Sequence, residues 1–236
     1  MSTEVDVARA IAAMLVSDAA HAQAISSLTA IGEITLRDAS VVAVAAVGAK
    51  LRRAWIVDRE IVPEGWSDAA VDVLVKVEGN NDSEHLEGGI ELKWWRRSDA
   101  ANSSNRRRDL FRDLVRAAAL YSTAREFALV GLLSTPESWD RTLATKGADS
   151  PIGDRLKATG DQSWSLRLLR ACPTVQAAAI GLSGKVPVTS SFRTNLIAHA
   201  RLTVDGASIA DARVWSVRKT RKSKWLTPNE ISLLFA

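Results

Sequence analysis

Asp72, Glu91 and Lys93 are the residues whose types and spacing can do chemistry. Asp72 interrupts the run A-V-D-V-L-V-K-V that ends at Val77, and Glu91 and Lys93 flank Leu92 in G-G-I-E-L-K-W-W, which ends at Trp95. Both runs read as strands, in which successive side chains alternate between faces. Val71, Val73, Val75 and Val77 then share one face and leave Asp72 on the other, while Ile90, Leu92 and Trp94 point away from Glu91 and Lys93. If the two strands pair, two carboxylates and an amine converge. Mg²⁺ prefers oxygen ligands, keeps several waters and needs only one or two carboxylates beside a substrate phosphate. The backbone carbonyl of Leu92, between the two motif side chains, is a further oxygen donor. A metal held there lowers the pKa of a bound water and polarises a phosphoryl oxygen, and Lys93 can position the attacking water and offset charge developing on phosphorus. The predicted chemistry is metal-assisted hydrolysis of a phosphodiester, with Mg²⁺ as cofactor and Mn²⁺ able to replace it.

The flanking segments must position this set. The two strands are joined by E-G-N-N-D-S-E-H, whose Gly79, Asn80, Asn81 and Asp82 favour a turn, so a hairpin is expected. Before them, the β-branched run from Trp55 to Val62 reads as a strand stopped by Pro63, Glu64 and Gly65. A helix is expected from Asp38, as N-cap, through Arg53, and an alanine-rich helix or two from Thr3 to about Leu28. After the motif, Leu110, Leu114, Ala118 and Tyr121 repeat at helical spacing, with Arg108, Arg112 and Arg116 in a separate stripe. Phe127 to Leu133 is continuously apolar, as in a strand covered on both sides. The order is helix, three strands, helix, strand. Beyond Ser134 the pattern predicts a short helix over Pro136–Leu143, one around Ser165–Ile180, strands near Leu196–Val204 and Ala207–Arg218, and a last helix opened by Thr227 and Pro228.

A chain of 236 residues, 47% hydrophobic, can bury a sizeable core. We read residues 1–236 as a single domain, with a core over about 33–133, an N-terminal helical segment over 1–30 and an α+β elaboration over 134–236. One cysteine, Cys172, excludes an internal disulfide framework and suits a reducing cytoplasm. Glu4 and Asp6 argue against a signal peptide, and no apolar run is long enough for a membrane span. His21, His85 and His199 are too dispersed for a metal site, and neither a phosphate-binding glycine loop nor a serine nucleophile elbow is present. The net charge is only +4, but the basic residues cluster at Arg96 and Arg97, at Arg106, Arg107 and Arg108, and at Arg218, Lys219, Arg221, Lys222 and Lys224, followed by Trp225. Clusters of this kind present themselves to a polyanion.

Asp72 followed by Glu91-Leu92-Lys93, in this order of segments, resembles the PD-(D/E)xK nuclease superfamily over roughly residues 33–133. The resemblance implies a restriction endonuclease-like α/β fold, an αβββαβ core with a mixed central sheet flanked by helices. It implies a Mg²⁺-dependent deoxyribonuclease in restriction, defence or DNA processing, with Asp72, Glu91 and Lys93 as catalytic set. The metal would sit on Asp72, Glu91 and the Leu92 carbonyl, the substrate would be double-stranded DNA, and a homodimer would serve an enzyme that cuts both strands. This sequence departs from the pattern in two places. Val71 stands where the motif has proline, a residue with no chemical part. The family often adds an acidic residue from the preceding helix, for which Glu33 and Asp38 are the candidates; Asp58 and Glu60 lie on the first strand. The alternative is a nucleic-acid-binding or protein-interaction module that keeps the fold without turnover.

Overall fold

A computed structural model describes residues 2–25, 27–28, 31–78, 84–96, 102–121, 124 and 126–236. Helices α1 (Thr3–Ala24) and α2 (Glu33–Lys50) precede strands β1 (Trp55–Ile61), β2 (Val71–Glu78) and β3 (Glu84–Trp95). Helix α3 (Ser103–Leu120) leads to β4 (Phe127–Ser134), completing the order expected from the sequence. The rest of the chain forms α4 (Pro136–Leu143), α5 (Ser150–Lys157), β5 (Gln162–Ser165), α6 (Pro173–Leu182), β6 (Val188–Thr189), β7 (Ser191–Val204), β8 (Ala207–Lys219), β9 (Trp225–Leu226) and α7 (Pro228–Phe235).

Seven strands make one mixed sheet in the order β1-β2-β3-β4-β8-β7-β5, and β6 pairs with β9 in a small second sheet. β2 is antiparallel to β1 and β3, whereas β3 and β4 are parallel. A parallel neighbour needs a crossover, and α3 supplies it. β8, β7 and β5 continue the sheet antiparallel, so strands from both halves of the chain share it. α1 and α2 cover one face; α3 lies on the other, with α4 and α6 packed against it. A hydrophobic cluster fills each interface. The assembly is an α/β fold with a mixed sheet flanked by helices.

β4 is buried at every position, which explains its unbroken apolar run. β3 meets it closely at Gly88, where an added Cβ would lie 2.2 Å from the Phe127 ring. No larger residue fits there without displacing that ring. Val73 and Val75 join the cluster under α1 and α2, as do Ile90, Leu92 and Trp94, while Trp95 joins the α3 side. Val71, the first residue of its strand, packs on the α3 side and so departs from the expected alternation.

Other expectations are corrected. α2 starts five residues before Asp38: Gly32 is its N-cap, and Thr35 Oγ1 accepts the Gly32 N–H at 3.3 Å. The helix expected around 165–180 is a strand ending at Ser165, a turn, and α6 from Pro173. Proline is disfavoured inside a helix but suited to its first turn, so the segment breaks there. α5 was not expected from the sequence, and β6 and β9, of two residues each, are too short to leave a periodic signal. The turn at 79–83 and the candidate Arg97 lie outside the described residues. Among the described residues no helix is long and apolar enough to cross a membrane.

Candidate active site

The site forms where β1 ends, β2 begins and the last third of β3 runs out toward α3. Val73 pairs with Ile90, and continuing that register sets Asp72 opposite Glu91. Both oxygens of Asp72 are engaged. Oδ2 accepts the backbone N–H of Leu92 at 2.8 Å, and Oδ1 accepts Arg37 Nε at 2.8 Å. Arg37, one turn into α2, also meets Glu60 Oε1 at 2.8 Å and Glu33 at 3.9 Å, so it ties α2 to both β1 and β2. Glu60 holds a left-handed backbone at φ 53°, a strained geometry for a non-glycine residue in a strand.

Glu91 is 0% exposed, and neither carboxylate oxygen has a hydrogen-bond partner. Its compensation is ionic: Arg116 of α3 places Nη2 at 3.1 Å from Oε1. Arg116 also donates to the Ala70 carbonyl and reaches Asp113 Oδ1 at 3.4 Å. Lys93 Nζ lies 3.3 Å from Asp113 Oδ2 and 3.7 Å from Glu33 Oε1. Three carboxylates from different elements therefore surround two cations on one face of the sheet: Glu91 from β3, Asp113 from α3 and Glu33 from the start of α2.

Burial dominates the titration of the acids. It pushes the Glu91 carboxyl well above the ordinary range; Arg116 pulls it back, and Asp113 and Asp72 push it further up. Burial likewise raises Asp113 to about 6, against Lys93 and Arg116, which lower it. Burial would lower the Lys93 ammonium, yet Asp113, Glu33, Asp72 and Glu91 together hold it above its ordinary value. Lys93 is thus a cation at neutral pH, able to donate hydrogen bonds but not to abstract a proton.

Above this set opens a cleft of about 390 Å³. Trp94 and Trp95 contribute to its wall, as do Glu33, Lys93 and Asp113, while Asp72 and Glu91 do not line it. Its charge is mixed, with five cations (Lys93, Arg106, Arg112, Arg116 and Lys185) against four carboxylates (Glu33, Asp68, Asp109 and Asp113).

The structure brings Asp72, Glu91, Lys93 and Glu33 together, and not Asp38, whose carboxylate meets Arg59 on the exposed side of α2. Asp58 pairs with Lys76 instead. Leu92 contributes its N–H to Asp72 and its side chain to the core under α1 and α2. Among the basic candidates, Arg106 lines the cleft and donates to the Arg96 carbonyl at 2.8 Å, so Arg96 is at its rim. Arg107 turns away, donating to the Thr142 carbonyl and reaching Asp149 at 3.5 Å, a strut between α3 and the α4–α5 segment. Arg108 meets Asp109 at 3.5 Å. Arg218, Lys219, Arg221 and Lys222 line a different groove, and Lys224 pairs with Glu230. Asp113 and Arg116 are the site residues that strand-based reasoning did not bring in. The signal for Asp113 is a carboxylate on the buried stripe of α3, between Leu110 and Ala117.

The carboxylates suit a hard divalent cation. Glu91 offers two buried oxygens without hydrogen bonds, and each Asp72 oxygen accepts a single bond, leaving one lone pair. Among the described residues no three His, Cys, Asp or Glu side chains are grouped as a ready-made metal cage. A Mg²⁺ site here would draw on Asp72, Glu91, a backbone carbonyl and water, within what that ion requires. Comparison with protein-family models, curated proteins and solved structures gave no match to the chain.

Proposed function

We propose that the protein is a Mg²⁺-dependent nuclease of the restriction endonuclease-like class, hydrolysing DNA phosphodiester bonds at the base of the β3–α3 cleft. The observation that carries this reading is the convergence of Asp72, Glu91 and Lys93 on one face, with the Glu91 oxygens buried and lacking hydrogen bonds. The order α2-β1-β2-β3-α3-β4, with β3 parallel to β4, supports the class. When bound, Mg²⁺ supplies Lewis acidity toward a phosphoryl oxygen and a water of lowered pKa. Asp72 and Glu91 hold the ion; Leu92 and Arg37 fix the Asp72 carboxylate in place. Lys93, cationic and flanked by Asp113 and Glu33, donates to the attacking water and to the phosphate oxygens as negative charge grows. Arg106, Arg112 and Lys185 on the cleft wall orient the backbone of the scissile strand. Duplex DNA is the substrate of choice, and a homodimer would set two such clefts on opposite strands.

A second reading has one observation in its favour: Arg116 already balances Glu91 at 3.1 Å, as a resident cation would. On that reading the protein binds nucleic acid without cutting it. Incubating the chain with plasmid and short duplex DNA in Mg²⁺ separates the two. Nicking or cutting that disappears in EDTA and in Glu91→Gln supports the nuclease; intact DNA with retained binding supports the module.

A further inference from the structure

We propose that a groove at the far end of β7 and β8 is a second binding site, for the phosphate backbone of a nucleic acid, separate from the cleft. It stands whether or not the cleft cuts. Five cations line it, namely Arg193, Arg218, Lys219, Arg221 and Lys222, and among the described residues no Asp or Glu does. The chain as a whole carries 31 Lys and Arg against 27 Asp and Glu, so an acid-free wall is a local property and not an average one. The groove is also about 780 Å³, against about 390 Å³ for the cleft.

Two of the five cations pair with acids outside the lining, and among the described residues the others do not. Arg193 and Arg218 are direct partners across the β7–β8 ladder, an arrangement of like charges that costs stability. Each is partly compensated from outside the groove, Arg193 by Asp161 at 3.7 Å and Arg218 by Glu4 of α1. Lys219 Nζ sits 4.9 Å from the Trp225 ring centre. Arg221 and Lys222 are exposed on the turn after β8 and make no ion pair among the described residues. That turn is pinned from beneath: Ser190 N donates to the Lys224 carbonyl at 2.9 Å, and Ser191 and Thr220 share a hydrogen bond of 2.7 Å.

The rest of the lining identifies the partner. Hydroxyls of Ser163, Ser165, Ser191, Thr220 and Tyr121 line it beside the cations. Hydroxyl and guanidinium donors in one concave track are what phosphodiester oxygens use, and Tyr121 and Trp225 offer rings for a base. The mixed charge of the cleft, five cations to four carboxylates, gives a polyanion little net attraction there. The groove supplies the grip that the cleft lacks.

Fluorescence anisotropy with labelled single-stranded and duplex oligonucleotides, in EDTA and over a series of salt concentrations, tests the site without cleavage. The fourfold variant Arg193→Ala, Lys219→Ala, Arg221→Ala, Lys222→Ala should bind at least about tenfold more weakly. Its slope of log K against log salt should be shallower by about 3, since each of the four lost phosphate contacts removes roughly 0.7–0.9. The pair Arg221→Glu and Lys222→Glu, confined to exposed turn positions, should weaken binding in the same direction and keeps the test open if the fourfold variant fails to fold. Arg59→Ala, which removes an exposed cation on β1 at the opposite edge of the sheet, should keep the wild-type slope. Unchanged affinity and slope in folded groove variants overturn the proposal. So does loss of sedimentation with phosphatidylserine vesicles in the variants while oligonucleotide binding is unaltered, which would assign the groove to a membrane surface. A protein that binds DNA through the groove but never cleaves it overturns the nuclease reading alone.

Discussion

The backbone N–H of Leu92 donates to Asp72 Oδ2 at 2.8 Å, so the carboxylate of one strand is fastened to the centre of the Glu91-Leu92-Lys93 motif in the next. The other oxygen is held by Arg37. The orientation of Asp72 is thus set by Arg37 and by a main-chain donor, which no substitution at Leu92 other than proline removes.

Asp72→Ala strands that N–H and the Arg37 guanidinium together. It should lower unfolding free energy by about 1–3 kcal/mol, the cost of leaving a buried polar group unpartnered. Asp72→Asn keeps an acceptor and should cost less. Urea unfolding followed by tryptophan fluorescence measures both; equal losses would show that the acceptor has no structural role.

Arg116 is the cation on which both buried acids depend. Removing one partner of a buried pair is worth roughly 3–5 kcal/mol because a charge is left uncompensated. Arg116→Met should therefore be strongly destabilised at pH 8. At pH 5, where Glu91 and Asp113 can take up protons, the loss should shrink. A loss independent of pH would mean that these carboxyls do not carry the effect.

Asp113 sets a pH dependence of its own. Burial, opposed by Lys93 and Arg116, raises its carboxyl from 3.8 to about 6, so the native state holds the proton more tightly than the unfolded chain does. The stability this contributes is full below 3.8 and is lost as pH rises to about 6. Asp113→Asn has no such loss. In EDTA, the stability of Asp113→Asn relative to wild type should therefore increase between pH 4 and pH 6.5; a flat difference would contradict the assignment.

Much of the core was legible because its signals are local. Alternation and turn residues mark β2 and β3, and the continuous apolar run marks β4. The 3.6-residue repeat of Leu110, Leu114 and Ala118 marks α3. Asp113 and Arg116 were not placed in the site by spacing because tertiary packing, not sequence distance, delivers them, whereas Glu33 was one of two candidates for a further acid and lies 3.7 Å from Lys93. Asp113 carried a clue in its position on a buried stripe, but nothing in the sequence names Lys93 as its partner. Density of charge was equally ambiguous: adjacent Arg106 and Arg107 part company, one to the cleft and the other to the Thr142 carbonyl. The start of α2 was missed because Thr35, three residues in, caps Gly32 where a side chain before the helix was expected.

Gly88 shows how tightly the motif strand is seated. Gly88→Ala places a methyl against the Phe127 ring, which overpacks the β3–β4 seam. A loss of about 1–3 kcal/mol in thermal or urea unfolding is expected. Phe127→Leu in the same chain should recover part of it, and failure to do so would move the cause elsewhere.

The central claim is that Asp72 and Glu91 hold one divalent cation beside Lys93. Crystals grown or soaked with Mn²⁺ and measured at its absorption edge test it most directly. An anomalous peak in coordination contact with both carboxylates is the predicted result. A peak bound elsewhere, or none at a Mn²⁺ concentration that saturates any cleavage activity, would contradict it.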